Sequence, residues 1–289
     1  MKKVTVCVPA KINLTLDILG VKDGYHDIES LVASINVYDK ITVKDRSDGK
    51  ITLKNLGLKV DCPIIENNAY KAAKTFIDCF GTFGVDITVD KKIPVAGGLG
   101  GSSADIAGVL NAMNVLYNVN GDMSPLARDL GSDSTYMLNG NYAVIKGRGD
   151  IVEQTEIDRK IYLLLIVEDA AISARSCYKK FDQRKKYYER ATDNLKALMF
   201  EGDLDAAIPQ FKNDLNSAAC ELLPAIKHNI YALKKAGAIN ALVAGSGPTV
   251  YAAFPDKKSR DKAFNKLKAL YGKSLIKAET VVKKDGKYV

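Results

Sequence analysis

The sequence predicts an α+β fold built from two closely joined domains. Three observations predict it. The 289 residues exceed what one compact core fills comfortably, strand-like segments dominate the start of the chain, and strand and helix signals then mix without a strict βαβ rhythm. Composition agrees: 47% hydrophobic and 26% charged residues are ordinary globular usage, which excludes fibrous and disordered classes. The expected boundary divides the chain into 1–156 and 157–289.

Taken in order, "VTVCV" and "KINLTLDIL" alternate apolar with polar residues and are rich in β-formers, as half-buried strands require. "IESLVASINVYDKITVKD" and "KITLKNL" continue the pattern as further strands of an antiparallel sheet. "ENNAYKAAKTFIDCF" has helical spacing, and "GVDITVDKKIP" returns to a strand. Gly98 to Ser103 then leads into "ADIAGVLNAMNVLY", where Ile106, Val109, Leu110 and Met113 mark a buried helix. Ser124 and Pro125 fit the cap and first position of another helix, and "NYAVIKGRGDIVEQ" reads as a hairpin turning at Gly147 to Asp150. In the second half, "KIYLLLIV" is a buried strand and several helices run from about Ser173 to Ala236. "INALVAGSGPTVYAAF" is strand, glycine turn, strand, and a last helix starts near Lys257.

The net charge of +8 is mostly diffuse; its densest runs, Lys185–Arg190 and the lysines of the last thirty residues, read as solvated helix faces. Aromatic residues are not interleaved with basic ones in a pattern that reads nucleic acid, so no nucleic-acid partner is expected. Five cysteines, Cys7, Cys62, Cys79, Cys177 and Cys220, form no CxxC pair and fit reduced thiols without structural zinc. Pro9, Lys11 and Asn13 interrupt the first apolar run, and no apolar stretch of about 18 residues exists, so neither a signal peptide nor a membrane span is expected. A cytoplasmic protein, monomer or homodimer, is the expectation.

The stretch "PVAGGLGGSSADIAG" carries the chemistry. It lacks the Gly-Lys-Ser/Thr of a Walker loop and is no GxGxxG in a βαβ setting. A glycine-rich loop entering a helix start nevertheless leaves unpaired N–H groups and the positive end of the helix dipole facing open space, the arrangement that binds phosphate. Ser102 and Ser103 are placed to cap the helix or to touch a phosphate or its metal ion.

That stretch resembles the central motif of the GHMP kinases, named for galactokinase, homoserine, mevalonate and phosphomevalonate kinases. "VPAKINLTLDIL" resembles the family's first motif and "ALVAGSGPTVYAAF" its third, in the right order over almost the whole chain. "DGYHDIES", "GSDSTYML", "KGRGDIV" and "NDLNSAACELLPAI" are similar to the branch that phosphorylates a diphosphocytidyl derivative of methylerythritol for isoprenoid synthesis. The resemblance implies an N-terminal domain like ribosomal protein S5, a ferredoxin-like C-terminal domain, and an active site in the cleft between them. It also implies ATP, Mg2+ and a small cytidyl alcohol as reactants.

Residue by residue, the resemblance makes Asp133 the group that accepts or orients the hydroxyl proton and Lys11 the cation beside it. Asn13, on the same strand face as Lys11, would bond the substrate, and Tyr25, His26 and Tyr178 would receive the cytosine. Asn67 would lie near the adenine. Pro94, Val95, Ala96, Gly97, Gly98, Leu99, Gly100, Gly101, Ser102, Ser103 and Ala104 would wrap the triphosphate, with Gly245, Ser246 and Gly247 as a supporting turn. No metal ligand is assigned. The chain departs from the family's usual Gly-Leu-Gly-Gly-Gly-Ser-Ser-Asp in having Ser102 for a glycine and Ala104 for a serine. It also has Ser-Thr-Tyr after Asp133 where Val-Pro-Phe is common. Two alternatives stay open at this point: a GHMP kinase for a sugar, homoserine or mevalonate, and a nucleotide-binding relative without catalysis.

Overall fold

The computed structural model describes residues 2–184, 190–284 and 287–288. Residues 185–189 of the basic run lie outside the described residues.

The first sheet grows around one long strand. β1 (Lys3–Asn13) and β2 (Thr15–Lys22) run antiparallel along one edge of β3 (Tyr25–Asp45), whose 21 residues are long enough to pair with both. β4 (Ile51–Gly57) is outermost on the other side, next to β5 (Val85–Lys91); β5 and β6 (Tyr142–Gly147) share the second edge of β3, and β7 (Ile151–Gln154) closes the expected hairpin with β6. The β-branched alternation of these segments explains their placement, since one face of each packs on the core. In β5 the buried face is Val85, Ile87, Val89 and Lys91.

The antiparallel reading of "KITLKNL" is corrected by the structure, in which β4 runs parallel to β5. The cause is the helix α1 (Asn68–Phe80) between them, because a crossover returns the chain in its original direction.

β8 (Tyr162–Ile166) opens the second half. β9 (Lys212–Asn213) leaves that half to pair in parallel with β2, Thr15 opposite Lys212 and Leu16 opposite Asn213. β10 (Asn240–Val243), β11 (Val250–Phe254) and β12 (Leu275–Glu279) complete an antiparallel sheet of order β10-β11-β8-β12. An isolated bridge between Ile35 and Thr280 makes a second stitch between the halves.

α2 (Gly101–Leu116), buried along most of its length, packs between α1 and the first sheet. α3 (Ser124–Leu130) and α4 (Ser134–Asn139) follow it. Ser124 is not a cap, as its position before Pro125 suggested, but the first residue of α3; Asp122 accepts its backbone N–H at 2.9 Å. In the second half α5 (Ala174–Asp182), α6 (Thr192–Glu201), α7 (Leu204–Ala207) and α8 (Asn216–Leu222) precede α9 (Ala225–Ala236) and α10 (Lys257–Tyr271), which cover the second sheet. Among the described residues no helix is long and apolar enough to cross a membrane.

Candidate active site

Three glycine-bearing or strand-end segments meet at the N-terminus of α2. The backbone N–H of Lys11 in β1 donates to Leu99 O at 3.0 Å, fixing the strand to the glycine loop. Gly98, at φ +77°, lies so close to the 244–247 turn that an added Cβ would stand 2.0 Å from Ala244 O. Only glycine satisfies both the left-handed backbone and that approach. Asn213 pins the turn from the other side, its Nδ2 donating to Val243 O at 3.0 Å and Gly245 O at 2.8 Å. "NDLNSAACELLPAI" therefore contributes a clamp on the turn.

The result is a cleft of about 400 Å³ whose walls include Lys11, Pro94–Gly98, Gly100–Ser103, Asp133 and Gly245–Gly247. Gly100, in the left-handed region, is the N-cap of α2, and no side chain caps this helix. Ser102 and Ser103 thus stand in the first turn instead of capping it, Ser102 exposed and Ser103 buried. The first-turn N–H groups have no intrahelical partners, which leaves the cleft floor a row of donors at the positive helix end. Ala96, at φ +54°, is a non-glycine residue in the left-handed region of the same loop, a local strain at the rim.

Across the cleft, Lys11 Nζ lies 3.2 Å from Asp133 Oδ2, the lysine buried and the aspartate partly open. Asp133 occupies the N-cap position of α4 but makes no capping bond, so its carboxylate is free for the ion pair. Lys11 Nζ also donates to Asn13 Oδ1 at 2.8 Å, and Asn13 Nδ2 donates to Ser30 Oγ at 2.8 Å. Ser30 in turn donates to Thr15 O, and Tyr251 Oη donates to Asn13 O at 2.7 Å. Both ends of the Asn13 carboxamide are engaged, so in this structure it positions Lys11.

A second charged cluster underlies the loop. The buried Lys91 donates to Asp39 Oδ2 at 2.6 Å, to Gly101 O at 2.7 Å and to Asp105 Oδ2 at 2.8 Å. Asp39 is fully buried and accepts the N–H groups of Lys92 and Ile93 through its other oxygen. Asp105 Oδ1 is buried without a partner, and burial pushes its pKa up to about 6, with Lys91 opposing the rise. Sequence reasoning missed this cluster, although the alternation of "VDITVDK" already set Lys91 on the face of Val85, Ile87 and Val89. A lysine on an apolar face needs a buried anionic partner.

The DGYH segment and α5 meet elsewhere, and none of Tyr25, His26 and Tyr178 lines this cleft. His26 stacks on Tyr178 with ring centroids 4.5 Å apart and 25° between planes, and His26 Nε2 lies 2.7 Å from Asp182 Oδ1. Tyr25 is exposed, with the Arg148 guanidinium 3.9 Å above its ring. Burial, and after it the charge of Asp133, push the pKa of the Tyr178 hydroxyl upward.

Of the residues singled out from sequence, Lys11 and Asp133 come together, as do His26 and Tyr178. Leu99 and Ala104 are fully buried core residues and do not line the cleft. Asn67 caps α1, accepting from Ala69 N at 2.9 Å, and its Nδ2 faces Cys62 Sγ at 3.7 Å. Val60, Ile172 and Ala174 line the cleft without any sequence signal that marks them.

Comparison with known proteins places this geometry. Residues 67–141 match the family model of the GHMP kinases N-terminal domain, and residues 188–273 that of the GHMP kinases C-terminal domain. A protein of Macrococcus caseolyticus named 4-diphosphocytidyl-2-C-methyl-D-erythritol kinase is 32% identical over 269 residues, 90% of this chain and 93% of its own. One of the same name in Cutibacterium acnes is 35% identical over 260 residues, covering 85% and 84%. A crystal structure of 4-(cytidine 5'-diphospho)-2C-methyl-D-erythritol kinase superposes with a TM-score of 0.81 at 26% identity, covering 96% of this chain and 99% of that one. Homoserine kinase from Cytophaga hutchinsonii, at TM-score 0.74 and 16% identity over 100% of this chain and 98% of its own, shares the fold.

Proposed function

The chain belongs to the GHMP kinases, a family that uses ATP as phosphate donor, and from that premise we propose that it phosphorylates the 2-hydroxyl of 4-diphosphocytidyl-2-C-methyl-D-erythritol in the methylerythritol phosphate route. The observation that carries this reading is the Lys11–Asp133 pair at 3.2 Å, set between a helix N-terminus open to phosphate and an aromatic site built from DGYH.

Phosphoryl transfer needs positioning and charge stabilisation more than covalent chemistry. The first-turn N–H groups of α2 and the glycine loop cradle the triphosphate. Asp133 accepts the proton of the attacking hydroxyl, or holds that oxygen in line, and the Lys11 ammonium 3.2 Å away favours the developing charge. The Asn13–Ser30–Thr15 chain fixes Lys11, which removes reorganisation from the step. Asn67, through its free N–H capacity or through the helix it caps, serves the adenine end. Tyr25, His26 and Tyr178 hold the cytosine, placing the methylerythritol hydroxyl at Asp133.

Among the described residues no three His, Cys, Asp or Glu side chains converge to hold a metal. The oxygen donors in the cleft, the Ser102 and Ser103 hydroxyls and the unpartnered Asp105 Oδ1, suit a hard ion held by few protein ligands and mainly by phosphates. Mg2+ bound there would neutralise triphosphate charge as the γ-phosphoryl moves. We place the protein in the cytoplasm, where ATP is supplied.

The test is ADP release with ATP and magnesium, assayed separately with the diphosphocytidyl alcohol, galactose, homoserine and mevalonate. Turnover with the first alone is expected; turnover with another and not with the first would overturn the substrate assignment.

A further inference from the structure

We infer that Tyr136 is a positioning residue that holds Asp133 in place against Lys11, through a closed ring of hydrogen bonds with Ser34 and Asn141. The inference rests on the reading that Asp133 acts on the attacking hydroxyl.

Asp133 stands at the N-cap of a helix that cannot keep its own place. α4 has six residues, too few to be stable alone, and no side chain caps it. The hydroxyls of Ser134 and Thr135 are buried without hydrogen-bond partners, so neither ties the first turn to its surroundings.

Tyr136, about one turn after Asp133, supplies the tie. Its ring is buried, and its Oη lies 2.7 Å from Asn141 O and 3.1 Å from Ser34 Oγ. A carbonyl only accepts, so the tyrosine proton goes to Asn141 O. Ser34 Oγ receives the Asn141 N–H at 3.0 Å, which leaves the serine proton for Tyr136 Oη. Asn141 donates to Ser34, Ser34 to Tyr136 and Tyr136 to Asn141, and the ring closes with every donor used. Burial raises the pKa of the Tyr136 hydroxyl, so it keeps the proton that the ring needs.

The ring ends beside Lys11. In the register of β1 on β3, Lys11 is directly opposite Ser34, and opposed residues of an antiparallel pair present their side chains on one face. α4 therefore meets this strand pair twice: Asp133 Oδ2 lies 3.2 Å from Lys11 Nζ, and Tyr136 bonds the residue across from Lys11. Ser34 is held from the second half of the molecule as well, its carbonyl accepting the Val281 N–H at 2.9 Å. The segment departs here from the common Val-Pro-Phe, in which a proline stiffens the first turn and the phenylalanine has no hydroxyl. In this chain the hydrogen-bonded ring provides the restraint that Thr135 does not. A reacting group displaced by about 1 Å can lose about 10²-fold in rate, so a restraint on α4 is a restraint on the chemistry.

Tyr136→Phe removes one oxygen from the ring and keeps the shape of the side chain. On the alcohol that the ADP-release assay identifies, its kcat should fall about tenfold, the factor one buried hydrogen bond carries, while the KM values for ATP and for the alcohol hold. Ser34→Ala, which leaves the tyrosine in place, should lower kcat comparably, and the two together no further than either alone. An Asp133→Ala background separates positioning from general stability. There Tyr136→Phe should leave the residual rate unchanged, because no carboxylate remains to be held. A kcat undiminished in Tyr136→Phe, whatever its Tm, or the same loss repeated in Asp133→Ala, would overturn the inference and leave the kinase assignment standing. Wild-type turnover in Asp133→Ala would overturn the reading of Asp133 and the inference with it.

Discussion

The proposed phosphate end and the proposed base end of the site are built from different materials. At the phosphate end the functional groups are mostly backbone: first-turn N–H groups of α2, a glycine loop pressed on the 244–247 turn, and one pair of a buried lysine with a partly open aspartate. At the base end they are side chains, two of them on opposite halves of the chain, with Tyr25 and Arg148 open to solvent. Backbone donors suit any triphosphate, so on the proposed reading the first end sets the reaction class. Side chains meeting across two halves can recognise one ring, so on the proposed reading the second end selects the acceptor. The likeness to homoserine kinase in fold, at low identity, is what this division predicts.

Substitutions can break the division in order of expected size. Asp133→Ala should lower kcat by about 10³-fold, in the range typical of a positioned acid–base group, with nucleotide binding retained in a direct titration of ATP. Loss of ATP binding in that variant would show that the ion pair holds the donor and does not act on the acceptor. Gly98→Ala should destabilise the whole fold by at least about 2 kcal/mol, combining left-handed strain with the clash against Ala244 O, seen as a lowered Tm. An unchanged Tm would mean that the loop and the 244–247 turn separate easily.

At the base end the effects should be smaller and confined to the acceptor. Tyr178→Ala should raise the KM for the cytidyl alcohol about tenfold or more, the worth of one stacked base, and leave the KM for ATP alone. A matching rise in both would merge the two ends into one. Arg148→Ala removes a cation 3.9 Å above the Tyr25 ring and should raise the acceptor KM by only about threefold. No change would make Arg148 a surface contact of Tyr25.

The same contrast governs what the sequence made legible. Glycines followed by a helical repeat announce a phosphate loop because the backbone there requires them, and "PVAGGLGGSSADIAG" could be read before any coordinates. The strands of the first half were equally plain, since β-branched alternation is local. Pairing partners are not local: nothing in "KITLKNL" says that a helix will turn it parallel to β5. Contacts between distant side chains were harder still. Lys91 carried a signal in its alternation, but Asp39 and Asp105, which hold it, lie 52 and 14 residues away in the chain. Asp182 looked like any polar residue at a helix end, and Arg148 like part of a glycine turn; only the fold brings them to His26 and Tyr25.

In the proposed reaction the base end directs catalysis at the phosphate end. The most direct measurement is kcat/KM for 4-diphosphocytidyl-2-C-methyl-D-erythritol against 2-C-methyl-D-erythritol 4-phosphate, which keeps the reacting alcohol and lacks the cytidine. The predicted ratio is about 10²-fold or more in favour of the cytidyl compound, because binding energy from the remote ring positions the hydroxyl at Asp133. Equal values would show that Tyr25, His26 and Tyr178 do not select the acceptor.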